Sequence, residues 1–230
     1  MARANPRRQA VLLFNEGTAE TMTPAMRGGK GSSLARMSQL GIPVPTGFTA
    51  TTTVARAWQE HGRLPKRVDS QIERSLIAIE KETGRGFGCR TNPLLLSVRS
   101  GAAVSMPGMM DTVLNVGLNP QTVTALSDQY GKYFAFDSYR RFLQQFAVTV
   151  LGLEDKPFND ALSTLLSTER VVSVHELSVD SLSWLCEHYR HLIEILQSSM
   201  IDNPREQLYQ ALVAIIDSWN GERASGPQRK

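Results

Sequence analysis

Two basic residues of this chain stand in glycine-rich surroundings that are suited to binding phosphate. Lys30 belongs to the run Gly-Gly-Lys-Gly at residues 28–31, and Arg99 is followed by Ser100 and Gly101. Arginine offers a planar fork of donors to phosphate oxygens, and glycine lets backbone N–H groups approach an anion without a Cβ in the way. Each pattern is also typical of an ordinary turn, so the residue types alone leave both interpretations open.

Short strands and helices are predicted around these residues. Residues 11–14 and 48–53 are predicted strands, and the apolar residues 94–96 predict a short buried strand that leads to Arg99. Apolar residues at helical spacing predict a helix over residues 34–40. Further helices are predicted at residues 54–61 and 68–82, and a loop at residues 84–93.

The start of the helix after Lys30 is a second argument for an anion site. Ser32 or Ser33 is predicted to cap this helix, and glycines and Lys30 precede it. A helix N-terminus carries partial positive charge and N–H groups without intrahelical partners, which favours a bound anion. A flexible loop with a solvated lysine is the alternative that this segment leaves open.

The second half of the chain is predicted to be helical. From residue 120 to 197 helix formers dominate, and no strand pattern is present. Its aromatic residues at helical spacing predict core packing; they are Phe134, Phe136, Tyr139, Phe142 and Phe146. His188 and His191 are three residues apart, but no third metal ligand is arranged near them in the sequence, so we expect surface or partly buried histidines.

The composition excludes several classes of protein. The chain has 230 residues, 41% hydrophobic and 20% charged, which is typical of a folded globular protein. The net charge of +3 lies partly at the termini, and no basic stripe with interleaved aromatics predicts nucleic-acid binding. Two cysteines predict neither a disulfide framework nor a metal site, and no apolar run predicts a membrane span. We therefore expect a reduced, cytoplasmic protein.

Several longer segments carry a more specific resemblance. They lie at residues 28–37, 41–48, 92–101, 105–115, 134–142 and 217–224, and the most unusual is Ser-Met-Pro-Gly-Met-Met-Asp-Thr at 105–112. Over residues 11–224 the sequence resembles the N-terminal part of the pyruvate, phosphate dikinases. The resemblance implies an α+β fold, namely the first lobe of an ATP-grasp domain (a small mixed sheet with helices) carrying an inserted, mainly helical subdomain. We expect residues 1–119 with 198–230 to form that lobe and residues 120–197 to form the subdomain.

The resemblance also implies a ligand and its binding residues. The complete enzymes of the family convert ATP, phosphate and pyruvate to AMP, pyrophosphate and phosphoenolpyruvate. ATP and Mg²⁺ are the implied cofactors, with Lys30 and Arg99 acting on the phosphates and the 100–112 loop closing over the nucleotide. The implied cofactor-binding residues are Gly28, Gly29, Lys30, Gly31, Arg99, Ser100, Gly101, Ser105, Met106, Gly108 and Thr112. No metal ligand is assigned, because Asp111 and Asp137 suit helix or turn capping better than Mg²⁺ binding.

Three departures from the family pattern limit the expected activity. Ala103 stands where the family usually has a basic residue, and the sequence ends soon after residues 217–224. None of the four histidines lies in the family's phosphohistidine context. We expect an ATP-binding part that is incomplete as an enzyme. The alternatives are a non-enzymatic docking module and a decayed remnant, which would pair with a separate chain or with a second copy of itself.

Overall fold

The computed structural model describes residues 10–101, 112–197 and 202–225, with the side chains of residues 197 and 219–225 excepted. Within these residues the chain forms eight helices and three two-stranded sheets, so the predicted α+β class is confirmed. The chain divides into two compact units. The first holds residues 10–84, 100–101 and 216–225, and the second holds residues 85–99, 112–197 and 202–215.

The first unit contains one antiparallel strand pair at its start. Strand β1 (Val11–Leu13) pairs with β2 (Phe48–Ala50), as the sequence predicts, although β2 is shorter than predicted. It ends at Ala50 because helix α2 (Thr52–His61) begins two residues later. The intervening Thr51 keeps an extended backbone, and its hydroxyl donates to the Ala10 carbonyl oxygen at 3.2 Å. Two threonines with high strand propensity therefore lie in the first turn of a helix.

Two longer helices complete the described core of the first unit. Helix α1 (Pro24–Gln39) starts ten residues before the predicted position and is broken at Gly28. Helix α3 (Lys66–Thr83) agrees with the predicted one and packs on β1, where its Gln71 side chain accepts hydrogen bonds from the Ala10 and Val11 amides at 2.8 and 2.9 Å. The fully buried side chains include Leu12, Val54, Val68, Leu76 and Ile79.

The second unit begins with two short strand pairs. Strands β3 (Gly86–Phe87) and β4 (Pro93–Leu94) pair in parallel, so the loop predicted at residues 84–93 is interrupted by strand pairing. Strand β5 (Leu96–Arg99) pairs antiparallel with β6 (Thr112–Val116). The predicted buried strand at residues 94–96 is thus divided between β4 and β5. Residues of β5 alternate between half-buried and exposed, as expected for a strand with one covered face.

Helices form the rest of the second unit, as the sequence predicts. They are α4 (Pro120–Tyr130), α5 (Lys132–Thr149), α6 (Lys156–Glu169), α7 (Val179–Gln197) and the first part of α8 (Pro204–Ser225), with a 3₁₀ turn at Val174–Glu176. Tyr139, Phe142 and Phe146 of α5 are buried, as predicted. Phe134 is 53% exposed and packs beside Tyr130, because it lies on the outer face of α5. None of the helices in the described ranges is both long and apolar enough to span a bilayer.

Candidate functional site

The Gly-Gly-Lys-Gly run lies at a sharp break inside α1. Gly28 has φ 70° and ψ 175°, which a residue with a side chain adopts only under strain. A Cβ at this position would also lie 2.2 Å from the carbonyl oxygen of Gly101. Both the backbone conformation and the close approach therefore require glycine at position 28.

A backbone hydrogen bond joins the two glycine-containing segments that the sequence singled out. The amide of Gly29 donates to the carbonyl oxygen of Gly101 at 2.9 Å. Ser100, which precedes Gly101, is 1% exposed, so the segment is packed against the first unit. The structure thus brings residues 28–31 together with Ser100 and Gly101, although the hydrogen-bonded Gly29 and Gly101 are 72 residues apart in sequence.

Lys30 is exposed beside this junction. It lies on α1, which carries Arg27, Lys30 and Arg36 and no acidic residue. The helical part that starts after Gly28 has its positive dipole end at the glycines. A lysine, a helix N-terminus and a backbone free of Cβ atoms together suit an anionic ligand, phosphate above all.

The two serines after Lys30 do not cap the helix, which corrects the predicted N-cap. Both hydroxyls donate to the carbonyl oxygen of Gly29, Ser32 at 2.9 Å and Ser33 at 3.0 Å. They lie inside the helix because its second part begins directly after the break at Gly28, several residues before the predicted start. Gly31 packs against β2, and a Cβ there would lie 2.8 Å from the Thr49 hydroxyl oxygen.

Arg27 is a residue of this region that the sequence analysis missed. Its side chain is 2% exposed, although it is charged and directly precedes Gly28. The guanidinium donates to the carbonyl oxygens of Thr21 at 3.0 Å, Leu13 at 2.8 Å and Glu16. Burial lowers the pKa of Arg27, because desolvation disfavours the charged form, and the Glu16 carboxylate opposes this shift. Its sequence position beside three glycines gave no sign of burial.

Arg99 lies in the second unit, at the end of β5. It is exposed and stands opposite Thr112, the first residue of β6, in the antiparallel register. Gln145 of α5 fixes the start of β6, since its side chain donates to the Thr112 carbonyl oxygen and accepts from the Leu114 amide, both at 2.9 Å. This clamp was not predicted, because Gln145 has no distinctive sequence context.

Other predicted residues fall in three groups. Ser105, Met106, Gly108, Asp111 and the substituted position Ala103 lie outside the described residues. Asp137 forms ion pairs with Arg140 at 2.8 Å and Arg141 at 2.6 Å, so its carboxylate is engaged within α5. His188 stacks on Trp184 with ring centroids 5.0 Å apart, and His191 is exposed. In the described parts of the chain, no cluster of histidine, cysteine and acidic side chains is arranged to hold a metal ion.

The chain matches known proteins along most of its length. Residues 25–82 match the family model described as the pyruvate phosphate dikinase AMP/ATP-binding domain. The chain is 41% identical over 218 residues to a chloroplastic pyruvate, phosphate dikinase of Mesembryanthemum crystallinum, which covers 93% of this chain and 23% of that protein. It is 44% identical over 199 residues to the pyruvate, phosphate dikinase of Giardia intestinalis, covering 86% of this chain and 22% of the relative.

A bacterial relative gives the same result. The pyruvate, phosphate dikinase of Rickettsia typhi is 40% identical over 200 residues, with 86% of this chain and 23% of the relative covered. The chain therefore spans less than a quarter of the length of these relatives. The matched residues 25–82 of this chain include the Gly-Gly-Lys-Gly run and the break at Gly28. The resemblance predicted from the sequence is confirmed: most of this chain is similar to one part of the pyruvate, phosphate dikinases, and residues 25–82 match the family's AMP/ATP-binding domain.

Proposed function

We propose that this chain binds ATP and that residues 28–31, with Ser100 and Gly101, form part of the site for its phosphates. The hydrogen bond from the Gly29 amide to Gly101 is the observation that carries the proposal. Exposed Lys30, the helix N-terminus after Gly28 and the second glycine-containing segment all belong to the first unit, which supports the inference of one anion site there. The family model that matches residues 25–82 is described as an AMP/ATP-binding domain, which supports a nucleotide as the ligand.

Lys30 supplies positive charge to the phosphates in this proposal, and Arg99 supplies a second cationic contact. The role of Arg99 rests on its residue type and on its position directly before Ser100. Mg²⁺ would accompany ATP and supply further positive charge to its phosphates, and no residue of the described ranges is assigned to hold it. Phosphoryl transfer depends mainly on positioning and charge stabilisation, so two cations of this kind are an appropriate contribution from one part of an enzyme.

Calorimetric titration of Mg·ATP into the purified chain tests the proposal. We expect saturable binding that Lys30→Ala weakens by about tenfold or more, because a charge-assisted contact to phosphate contributes about 1.5–3 kcal/mol. Arg36→Ala is the matched control, since Arg36 lies on the same helix and is also exposed. Equal effects of the two substitutions would show only a general electrostatic attraction, and absence of binding by the folded parent chain would contradict the proposal.

A docking role is the second candidate, and one exposed apolar cluster favours it. Met37, Leu40 and Ile42 at the end of α1 are 36%, 77% and 45% exposed. Such a cluster is suited to contact with another chain or with a second copy of this one. Sedimentation equilibrium of the parent chain and of Leu40→Glu tests self-association. A parent chain that is monomeric at all concentrations and binds Mg·ATP normally would count against this candidate.

A further inference from the structure

The guanidinium of Arg27 holds the whole connection between β1 and α1. Its three carbonyl acceptors belong to Leu13, at the end of β1, and to Glu16 and Thr21, within the connecting loop. A fork with donors on three nitrogens can reach three acceptors in different directions, which a lysine ammonium on a single stem cannot reproduce. One side chain therefore determines the path of the chain over residues 13–21.

Burying the positive charge of Arg27 costs free energy, so the presence of an arginine at this position calls for a reason beyond filling space. Removing a guanidinium from water costs free energy, and its hydrogen-bond partners here are neutral carbonyl groups. An apolar side chain of similar size would fill the same space without that cost. The arginine is therefore better explained by the loop geometry that it fixes than by stability alone.

The loop is shaped around the guanidinium. Gly17 has φ 132°, and a Cβ there would lie 2.7 Å from the Thr21 hydroxyl oxygen and 2.8 Å from Nη2 of Arg27. Thr21 itself is buried, and its hydroxyl oxygen accepts from the Thr18 amide at 2.8 Å. The loop therefore packs closely around the arginine at Gly17 and Thr21.

Arg27 also lies next to the glycine run at residues 28–31, which follows it in the sequence. Arg27 directly precedes Gly28, where α1 is broken, and a Cβ at Gly31 would lie 3.2 Å from the Cβ of Arg27. Lys30 thus lies between Gly28, which follows Arg27 directly, and Gly31, which packs close to the Arg27 side chain. The three hydrogen bonds of the guanidinium restrain the Arg27 side chain. A restrained side chain at this position can in turn restrain the backbone on both sides of Lys30.

We propose that Arg27 is a positioning residue, which anchors the break in α1 so that the hydrogen bond from Gly29 to Gly101 is kept and Lys30 is held in position for phosphate. This inference rests on the function proposed above, because it concerns the same site. It assigns no contact between Arg27 and the ligand. The loss of Arg27 is expected to loosen residues 28–31 selectively while the rest of the first unit stays folded.

Amide hydrogen exchange measured by NMR on the full chain tests this role without any ligand. In Arg27→Met we expect the Gly29 amide to exchange about tenfold faster or more, since three charge-assisted hydrogen bonds no longer restrain the local opening. Amides of Ile72 and Leu76 in the buried face of α3 should change by less than about twofold. Arg190→Met is the matched control, because Arg190 lies in the second unit and pairs with Asp202 there.

Equal acceleration of Gly29 and of the α3 amides would overturn the proposal, because Arg27 would then only maintain the fold. Unchanged exchange at Gly29 would overturn it as well. If Arg27→Met does not fold, the same exchange measurement is made on Arg27→Lys. A smaller selective acceleration of the Gly29 amide is then expected, because the positive charge is kept and the guanidinium fork is lost. A lysine variant without selective acceleration would contradict the role.

Titration of Mg·ATP into the same variants separates this inference from the proposed function. We expect Arg27→Met to raise the dissociation constant by about tenfold, with Arg27→Lys between it and the parent chain. Unchanged affinity in a variant with accelerated Gly29 exchange would overturn the positioning role. If the parent chain binds no Mg·ATP, the proposed function fails, while the exchange comparison still decides whether Arg27 holds the glycine run.

Discussion

At Gly28 two independent physical demands exclude any other residue. The backbone has φ 70° and ψ 175°, a region that is essentially confined to glycine. The space where a Cβ would stand is already taken by the carbonyl group of Gly101. The lack of a side chain at Gly28 therefore allows the two segments of the proposed site to approach each other closely. The position of Lys30 relative to Gly101 depends on this approach.

Substitution of Gly28 should be far more costly than substitution of a glycine that has only the backbone requirement. Gly28→Ala is expected to lower the free energy of unfolding by about 2–4 kcal/mol, from backbone strain and from the clash with Gly101. Gly62→Ala is the control, since Gly62 has φ 62° with nothing within 4 Å of its Cβ position, and it should cost about 1–2 kcal/mol. Urea unfolding measures both, and equal losses would show that the Gly101 contact has no energetic role.

At the scale of elements, the packing of α5, α6 and α7 holds several titratable groups in the neutral form. Burial raises the pKa of Cys186 from 9.0 to about 12 and that of Tyr189 from 10.0 to about 12. Burial also raises the pKa of Tyr139. The Tyr189 hydroxyl donates to the Phe158 carbonyl oxygen at 2.9 Å, and the two rings meet edge to face. These groups are part of the helical core of the second unit.

The raised pKa values predict a loss of stability in alkaline solution. Above pH 9 the unfolded chain releases the protons of these groups, whereas the folded chain retains them up to about pH 12. The stabilisation is thus complete below pH 9 and falls as the pH rises toward 12. Urea midpoints measured at about pH 8, 9, 10 and 11 give this slope.

The double variant Cys186→Ala, Tyr189→Phe controls for titration elsewhere in the chain. It should lose about 1–3 kcal/mol at pH 8, from the missing sulfur and hydrogen bond, and its midpoint should fall less steeply with pH. A parent chain and a double variant with the same alkaline slope would contradict the assignment of the pKa shifts to these two groups.

At the scale of the whole molecule, the chain corresponds to less than a quarter of each relative that it matches. None of its four histidines lies in a sequence context that resembles the phosphohistidine motif of the family. We therefore predict that the purified chain forms no phosphoenolpyruvate from ATP, phosphate and pyruvate. A coupled assay with an added complete dikinase as positive control measures this, and pyruvate-dependent product from the chain alone would contradict the prediction.

The sequence predicted the larger features of this molecule and missed features that depend on packing. The spacing of apolar residues was sufficient for α3 and for the helices after residue 120, because amphipathic periodicity is a local property, whereas the α+β class was implied by the family resemblance. It was wrong about the start of α1, since the break at Gly28 is stabilised by Gly101, which is 73 residues away. It also misassigned Thr52 and Thr53, whose strand propensity is overridden by the start of α2.

The candidate site was predictable to the same extent. The glycine, lysine and serine residues indicated a candidate phosphate site at residues 28–31 and 100–101, because only a few residue types are suited to binding phosphate. The burial of Arg27 and the clamp by Gln145 were not predictable, since both depend on which carbonyl groups the fold brings within reach. Long-range hydrogen bonds of this kind leave no periodic signal in the sequence.

The most direct test of the central claim is the response of individual backbone amides to Mg·ATP, followed by ¹H–¹⁵N NMR of the labelled chain. The account predicts saturable shifts of the Gly28, Gly29, Lys30, Gly31 and Gly101 amides, with the α6 and α7 amides unaffected. Lys30→Ala should weaken the titration of all five together. Saturable shifts that leave residues 28–31 and Gly101 unmoved would contradict the claim that these two segments hold the phosphates.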